Sequence, residues 1–163
     1  MAKFKFSQKL ELQMPKVEGK AETKKMQMAV NRALTRGAQK GAVYVEKGLK
    51  DALNAAVDFE WPWRDGSGRD IVDTGRLRAS LEIKTTFSKT KIGFSIAYNT
   101  PYAAFVHYGG MIKPYGNKNA ADVIIPARPW VQAVLEGSHG QPKFDMVTPF
   151  DRGVSEVWTS QFG

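Results

Sequence analysis

Residues 22–57 limit what this chain can fold into more than any other stretch. Met26, Val30, Leu34, Ala38, Ala42 and Val45 recur at steps of three and four residues, and Leu49, Ala52, Leu53 and Ala56 carry the series on. That period is the mark of an amphipathic helix. Lys24, Lys25, Arg32, Arg36, Lys40, Lys47 and Lys50 take much of the remaining surface. At ~1.5 Å per residue the helix is roughly 50 Å long. A single small domain rarely covers that length, so the helix asks for packing partners along most of its course. Gly37, Gly41 and Gly48 lie inside it, each about 1 kcal/mol worse than alanine in a helix interior. They mark either a close backbone approach or a bend.

The charge follows the helix. Residues 1–50 hold twelve Lys/Arg against four Asp/Glu, and residues 51–163 hold twelve of each, so the whole net charge of +8 sits in the first third. The face of Lys24, Lys25, Arg32, Arg36, Lys40 and Lys47 is a candidate basic surface. It suits nucleic acid or an acidic protein, and it equally suits a solvated helix face that keeps the protein soluble. The 163 residues fit one domain with a sizeable core. The expected divisions are an extended arm over 1–21, a core domain over 22–145 and a C-terminal helix or tail over 146–163. No run of eighteen apolar residues is present, and the first residues carry no apolar stretch of signal-peptide length, so neither a membrane span nor secretion is expected. The absence of cysteine removes disulfides, thiolate metal sites and thiol nucleophiles together, and fits a protein made in a reducing cytoplasm.

The rest of the chain reads as short elements. Phe4, Phe6, Leu10, Leu12 and Met14 alternate loosely, as in an arm that adds a strand to a neighbour or in a first strand of the domain's own sheet. Residues 58–72 read as a loop in which Trp61 and Trp63 cap the core, with a ligand platform as the alternative. Leu81, Ile83, Thr85 and Phe87, then Ile92, Phe94, Ile96 and Tyr98, alternate on either side of a turn near Ser88–Lys91, which predicts a hairpin with one apolar face. Asn99 or Thr100 is a candidate cap for a short helix ended by Gly109-Gly110. Residues 111–125 read as a long loop. Pro126-Ala127-Arg128-Pro129 leads into a short helix, and residues 146–162 form a last one carrying Val147, Phe150, Val154, Val157 and Trp158. The predicted class is α+β, a long N-terminal amphipathic helix packed on a small antiparallel sheet, with short additional helices.

Catalytic constellations are scarce. His107 and His139 are the only histidines, and His107 in an aromatic helix reads as a core or interface residue. Asp65, Asp70 and Asp73 share a loop without calcium-loop spacing. Gly66-Ser67-Gly68 does not follow a strand, so it lacks the context of a nucleotide fingerprint. Asp73-Thr74-Gly75 is followed by Arg76-Leu77-Arg78 rather than the small apolar residues of an aspartic protease. The expectation is a non-enzymatic protein without a cofactor or metal. Asp73 or Thr74 instead caps a short helix over 75–81, with Leu77 and Leu81 on one face and Arg76 or Arg78 offered either to a neighbouring subunit or to an internal salt bridge.

Three ordered motifs add a resemblance. Thr74, Gly75, Leu77 and Ser80 precede the hairpin. Tyr102, Ala103, Val106, Tyr108 and Gly109 follow it, and Pro126, Ala127, Arg128, Pro129 and Trp130 open the next helix. This order resembles the tail-completion family of tailed bacteriophages, the head–tail joining (neck) proteins of the minor-tail-protein-Z type, over roughly residues 26–136. His107 stands where that family commonly carries an acidic residue. The resemblance implies a structural virion protein made in the host cytoplasm. It would form a homo-oligomeric ring, a hexamer or dodecamer, at the neck or top of the tail. Its partners would be the connector or head-closure protein and the tail-terminator or tail-tube protein, with genomic DNA passing through the lumen and no membrane involved. The implied interface residues are Asp73, Thr74, Gly75, Arg76, Leu77, Arg78, Tyr102, Tyr108, Gly109, Arg128, Pro129 and Trp130. The alternative is a non-specific nucleic-acid-binding protein using the basic helix to contact phosphates.

Overall fold

The computed structural model describes residues 6–14, 24–63, 65–71 and 75–163. In chain order it holds β1 (Phe6–Gln13), α1 (Lys24–Val57), β2 (Trp61–Pro62), β3 (Gly68–Arg69), α2 (Arg76–Ala79), β4 (Leu81–Phe87), β5 (Lys91–Tyr98), α3 (Ala103–Tyr108), β6 (Gly110–Ile112), β7 (Val123–Ile125), α4 (Trp130–Glu136) and α5 (Val147–Phe162). The fold is α+β: one long helix, small antiparallel sheets and shorter helices. Among the described residues no helix is long and apolar enough to cross a membrane.

Two compact units divide the chain. The first takes Lys9–Leu49, Lys84–Ser95 and Asp145–Gly163. Its α1 portion runs unbroken through the three glycines, and two of them are explained by α5. A Cβ on Gly41 would lie 2.6 Å from the Phe150 carbonyl oxygen, and one on Gly37 would lie 3.0 Å from the Val154 Cα. The glycines therefore mark backbone contact rather than a break. Small residues let two helices approach this closely, and Ala33, Ala38, Ala42 and Val45 are buried along the same helix. Asp145 stands just before α5 and its carboxylate accepts hydrogen bonds from the Val147 (2.8 Å) and Thr148 (3.4 Å) amides and from the Thr148 hydroxyl. Two free amides at the helix start are thereby engaged, and the Thr148 hydroxyl, together with these amides, holds the Asp145 carboxyl below its usual range. The Thr85 hydroxyl donates to Glu46 of α1 at 3.0 Å.

β1, β5 and β4 form a three-stranded sheet in that order. Residues Phe6–Gln13 thus join the chain's own sheet, the second of the two readings of the alternating N-terminal segment. The rest of the expected arm, 1–5 and 15–21, lies outside the described residues. Alternation predicted the inward side of β5 residue by residue: Ile92, Phe94, Ile96 and Tyr98 are all buried. β4 is less regular, and Phe87 at its end is exposed.

The second unit takes Lys50–Ile83 and Ile96–Phe144. Leu53, Ala56, Val57, Trp61, Leu77 and Trp130 are among its buried residues. The Trp61 indole donates to the Ala56 carbonyl at 2.8 Å, which ties the polar end of a buried ring to the last turn of the helix. Two pairs of short strands lie in the expected loops. β2 pairs with β3 (Trp61 opposite Arg69), and β6 pairs with β7 (Met111 opposite Ile124).

Candidate functional site

The three sequence motifs all fall in this second unit, and each builds part of one wall. In the first, Gly75 adopts a left-handed conformation (φ 71°) and is itself the residue that precedes α2. The expected caps Asp73 and Thr74 lie outside the described residues. α2 is a single turn, Arg76–Ala79, closed by the Ser80 amide on the Arg76 and Leu77 carbonyls at 3.1 Å. Leu81 therefore opens β4 instead of completing a helical face with Leu77. Leu77 is buried. Arg78 pairs with Asp58 of the same chain, the internal alternative of the two foreseen for it.

In the second motif the capping expectation is corrected. α3 begins at Ala103, after Tyr102, and no side chain caps it. Thr100 serves it through its carbonyl, which accepts from the Ala103 amide at 3.2 Å, while Asn99 instead donates to Glu82 at 3.0 Å. The Thr100 side chain is buried, and its hydroxyl has no hydrogen-bond partner among the described residues. His107 is 2% exposed, edge-on to Trp130 with centroids 4.9 Å apart. Burial pushes its pKa down to about 4, so the ring is neutral at physiological pH. It is a core residue. Tyr98 also meets Trp130 edge-on at 5.2 Å, and burial raises its phenol above the ordinary range.

The third motif locks onto the second. The Arg128 amide donates to the carbonyls of Val106 (3.1 Å) and His107 (3.2 Å), closing the end of α3. This passage needs Gly109. Its backbone (φ 72°, ψ −179°) lies in a region open essentially to glycine alone. A Cβ there would stand 2.7 Å from the Ala127 nitrogen. Pro129 then precedes α4, whose Trp130, Val131, Ala133 and Val134 are buried.

Where these pieces meet there is a cavity of about 940 Å³. Arg76, Leu77, Tyr102, Val106 and Arg128 line it from the motifs. Asp58, Glu60, Trp63, Arg69 and Asp70 line it from the stretch between α1 and α2. Three acids and three arginines face the same space. The arginine pair differs sharply in setting: Arg76 is exposed, whereas Arg128 is only 4% exposed. The Arg128 guanidinium lies over the Trp63 ring, 4.1 Å from its centroid, and Arg69 lies 5.3 Å from that ring. Such cation–π contacts favour an arginine kept from water. Burial first, and the neighbouring Arg69 second, lower the Arg128 pKa, yet a guanidinium stays charged at any ordinary pH.

For Trp63 the structure favours the second of the two readings. The residue is half-buried and stacks under Arg128 as part of the cavity, where a core cap was the first expectation. The available signal was the density of charge around it: six of the thirteen residues 58–70 are charged. Tyr108 of the motif set is exposed and sits away from these lining residues. The basic residues Lys24, Lys25, Arg32, Arg36, Lys40 and Lys47 belong to the other unit and are all exposed. Lys40 is committed to Glu156 at 2.8 Å. Among the described residues no three His, Asp or Glu side chains gather where a metal ion would sit.

The fold and the cavity together define an α+β protein with an arginine–tryptophan pocket at the junction of three short motifs. Comparison with protein-family models, with curated proteins and with solved structures finds no match for this chain.

Proposed function

We propose that this chain is a structural virion protein of a tailed bacteriophage, forming a ring at the neck or top of the tail that completes the tail and joins it to the head connector. The observation that carries this reading is the union of the three motifs. The second and third motifs, more than twenty residues apart, are hydrogen-bonded and packed together, with Arg128 closing α3 and Trp130 against His107, and the first lines the same cavity through Arg76 and Leu77. Three short chance likenesses have no reason to converge; a set of motifs that serves one joint does.

The surface beside them supports assembly. Met111 and Ile124, opposite each other on β6 and β7, are 67% and 64% exposed. Tyr108, at the end of α3, is exposed as well. Apolar side chains grouped on a surface mark places where another protein docks, and a ring gives each subunit two neighbours. The basic face of α1 then meets acidic neighbours or the DNA that passes through the ring.

Native mass spectrometry of the purified protein, alone and with its candidate connector and tail-tube neighbours, tests the proposal. A closed ring, formed alone or only with those neighbours, is the expected result. A monomer that ignores them and binds random DNA with steep salt dependence would overturn it in favour of a nucleic-acid-binding protein.

A further inference from the structure

Arg128 is buried in an unusual way. Its Nε and Nη2 nitrogens are both shielded from water, and neither has a hydrogen-bond partner among the described residues. Buried polar groups in folded proteins are nearly always paired, and an unpaired donor on a charged group is the least tolerable kind. These two nitrogens lie along one edge of the planar guanidinium, with their N–H bonds nearly parallel. That edge matches the two oxygens of a carboxylate. Trp63 covers a face of the same group, and the edge itself is closed to water.

We propose that the Arg128–Trp63 pocket is a binding site for a carboxylate, namely an aspartate or glutamate side chain of a partner protein, taken bidentately on the Nε–Nη2 edge of Arg128. The pocket's charge selects this ligand over a phosphate. Asp58, Glu60 and Asp70 line the same cavity as the three arginines. Asp58 is already paired with Arg78, and Arg69 with Asp65. Two arginines and two carboxylates are left facing the space. Those four charges balance, so an entering carboxylate adds one net negative charge beside Glu60 and Asp70, and a doubly charged phosphate adds two. Since water touches neither nitrogen, the ligand enters by shifting a wall side chain, and the half-buried Trp63 is the ring in contact. The inference stands on the pocket alone and does not depend on which assembly the chain joins.

Nuclear magnetic resonance of the full chain tests it, following the Arg128 Nε–H and Trp63 indole N–H signals at constant ionic strength. Sodium acetate is the probe, with sodium chloride and inorganic phosphate as comparators. Acetate is expected to shift both signals saturably in the millimolar range, chloride is not, and phosphate is expected to bind more weakly. Arg128→Lys keeps the charge but loses the edge and should abolish saturation. Glu60→Gln removes a competing carboxylate at an exposed position, where folding is safe, and should tighten acetate several-fold. No saturable shift, an equal response to chloride, tighter binding of phosphate, or an unchanged affinity in Glu60→Gln would each overturn the proposal.

Discussion

The two units place charge near a core in opposite ways. In the cavity unit polar groups are buried: Thr100, the neutral His107 and the charged Arg128 are each under 5% exposed. Along the α1–α5 contact the charges stay outside, and the interior is glycine, alanine, valine and one phenylalanine. There Glu156 gathers Lys40 at 2.8 Å, the Tyr44 hydroxyl at 2.7 Å and Arg152 at 2.9 Å, all in reach of solvent. Burying charge is costly unless it is used, whereas exposed charge is nearly neutral to stability. The contrast therefore assigns specificity to the cavity unit and plain packing to the paired helices. Substitutions in the two units test that division.

The largest effect is expected at Leu77, which is 1% exposed and ties the one-turn helix α2 to the core. Leu77→Ala should cost about 3 kcal/mol, from lost burial plus the void left behind. Urea denaturation reads it. A cost near zero would mean that α2 is not held by packing, and the cavity wall would lose its anchor.

His107 gives the next effect, and its sign follows from burial. The folded ring titrates at about 4 and the unfolded one near 6.5. Between those values the unfolded chain binds the extra proton, so stability falls as pH falls through that window and is fully present above it. From about pH 6.5 to 5 the loss should be about 2 kcal/mol. Denaturation of the wild type and His107→Gln at both pH values checks this, since the variant should lack the slope. The two proteins share every other titratable group, so the difference between them reports His107. An equal slope in the variant would place the titration elsewhere.

At Gly41 two effects compete. Alanine gains about 1 kcal/mol of helix propensity. Its Cβ, however, would stand 2.6 Å from a backbone carbonyl of α5, which no side-chain movement relieves. Overpacking of this kind costs about 1–3 kcal/mol. The clash wins, and Gly41→Ala should destabilise by about 1 kcal/mol, again by urea denaturation. A stabilised variant would show that the helices are not in contact at this point.

These cases also show what was legible in the sequence. The period of α1 was clear because 34 residues repeat it, and the buried side of β5 was clear because alternation survives over eight. The glycines of α1 were recognisable as a feature, but only the partner helix separates contact from bend. β6 and β7 were hidden in an apparent loop because three residues each are too few to show a period. The cavity was half legible. Its motif residues could be named one by one, but the Trp63–Arg128 contact joins positions 65 apart in the chain, and no local pattern encodes it. Arg78 and Asp58 are the same lesson at shorter range: an internal salt bridge was foreseen as an option, and only the fold names Asp58 as the partner.

The smallest effect is expected at Glu156, where the exposed network can be broken without touching the interior. The Lys40 ammonium first, then Tyr44 and Arg152, hold its carboxyl at about 2. A carboxylate with a depressed pKa stabilises the fold above its unfolded value, and that contribution fades as pH falls toward the folded one. Glu156→Gln should therefore lower the denaturation midpoint slightly at neutral pH. The gap to the wild type should close as pH falls from about 4.5 toward 2, and it should also narrow in concentrated salt, which screens exposed charge. A gap that persists at the acid end, or that ignores salt, would mean that Glu156 holds α1 and α5 by shape instead of charge. The paired helices would then resemble the cavity unit more than the present contrast allows.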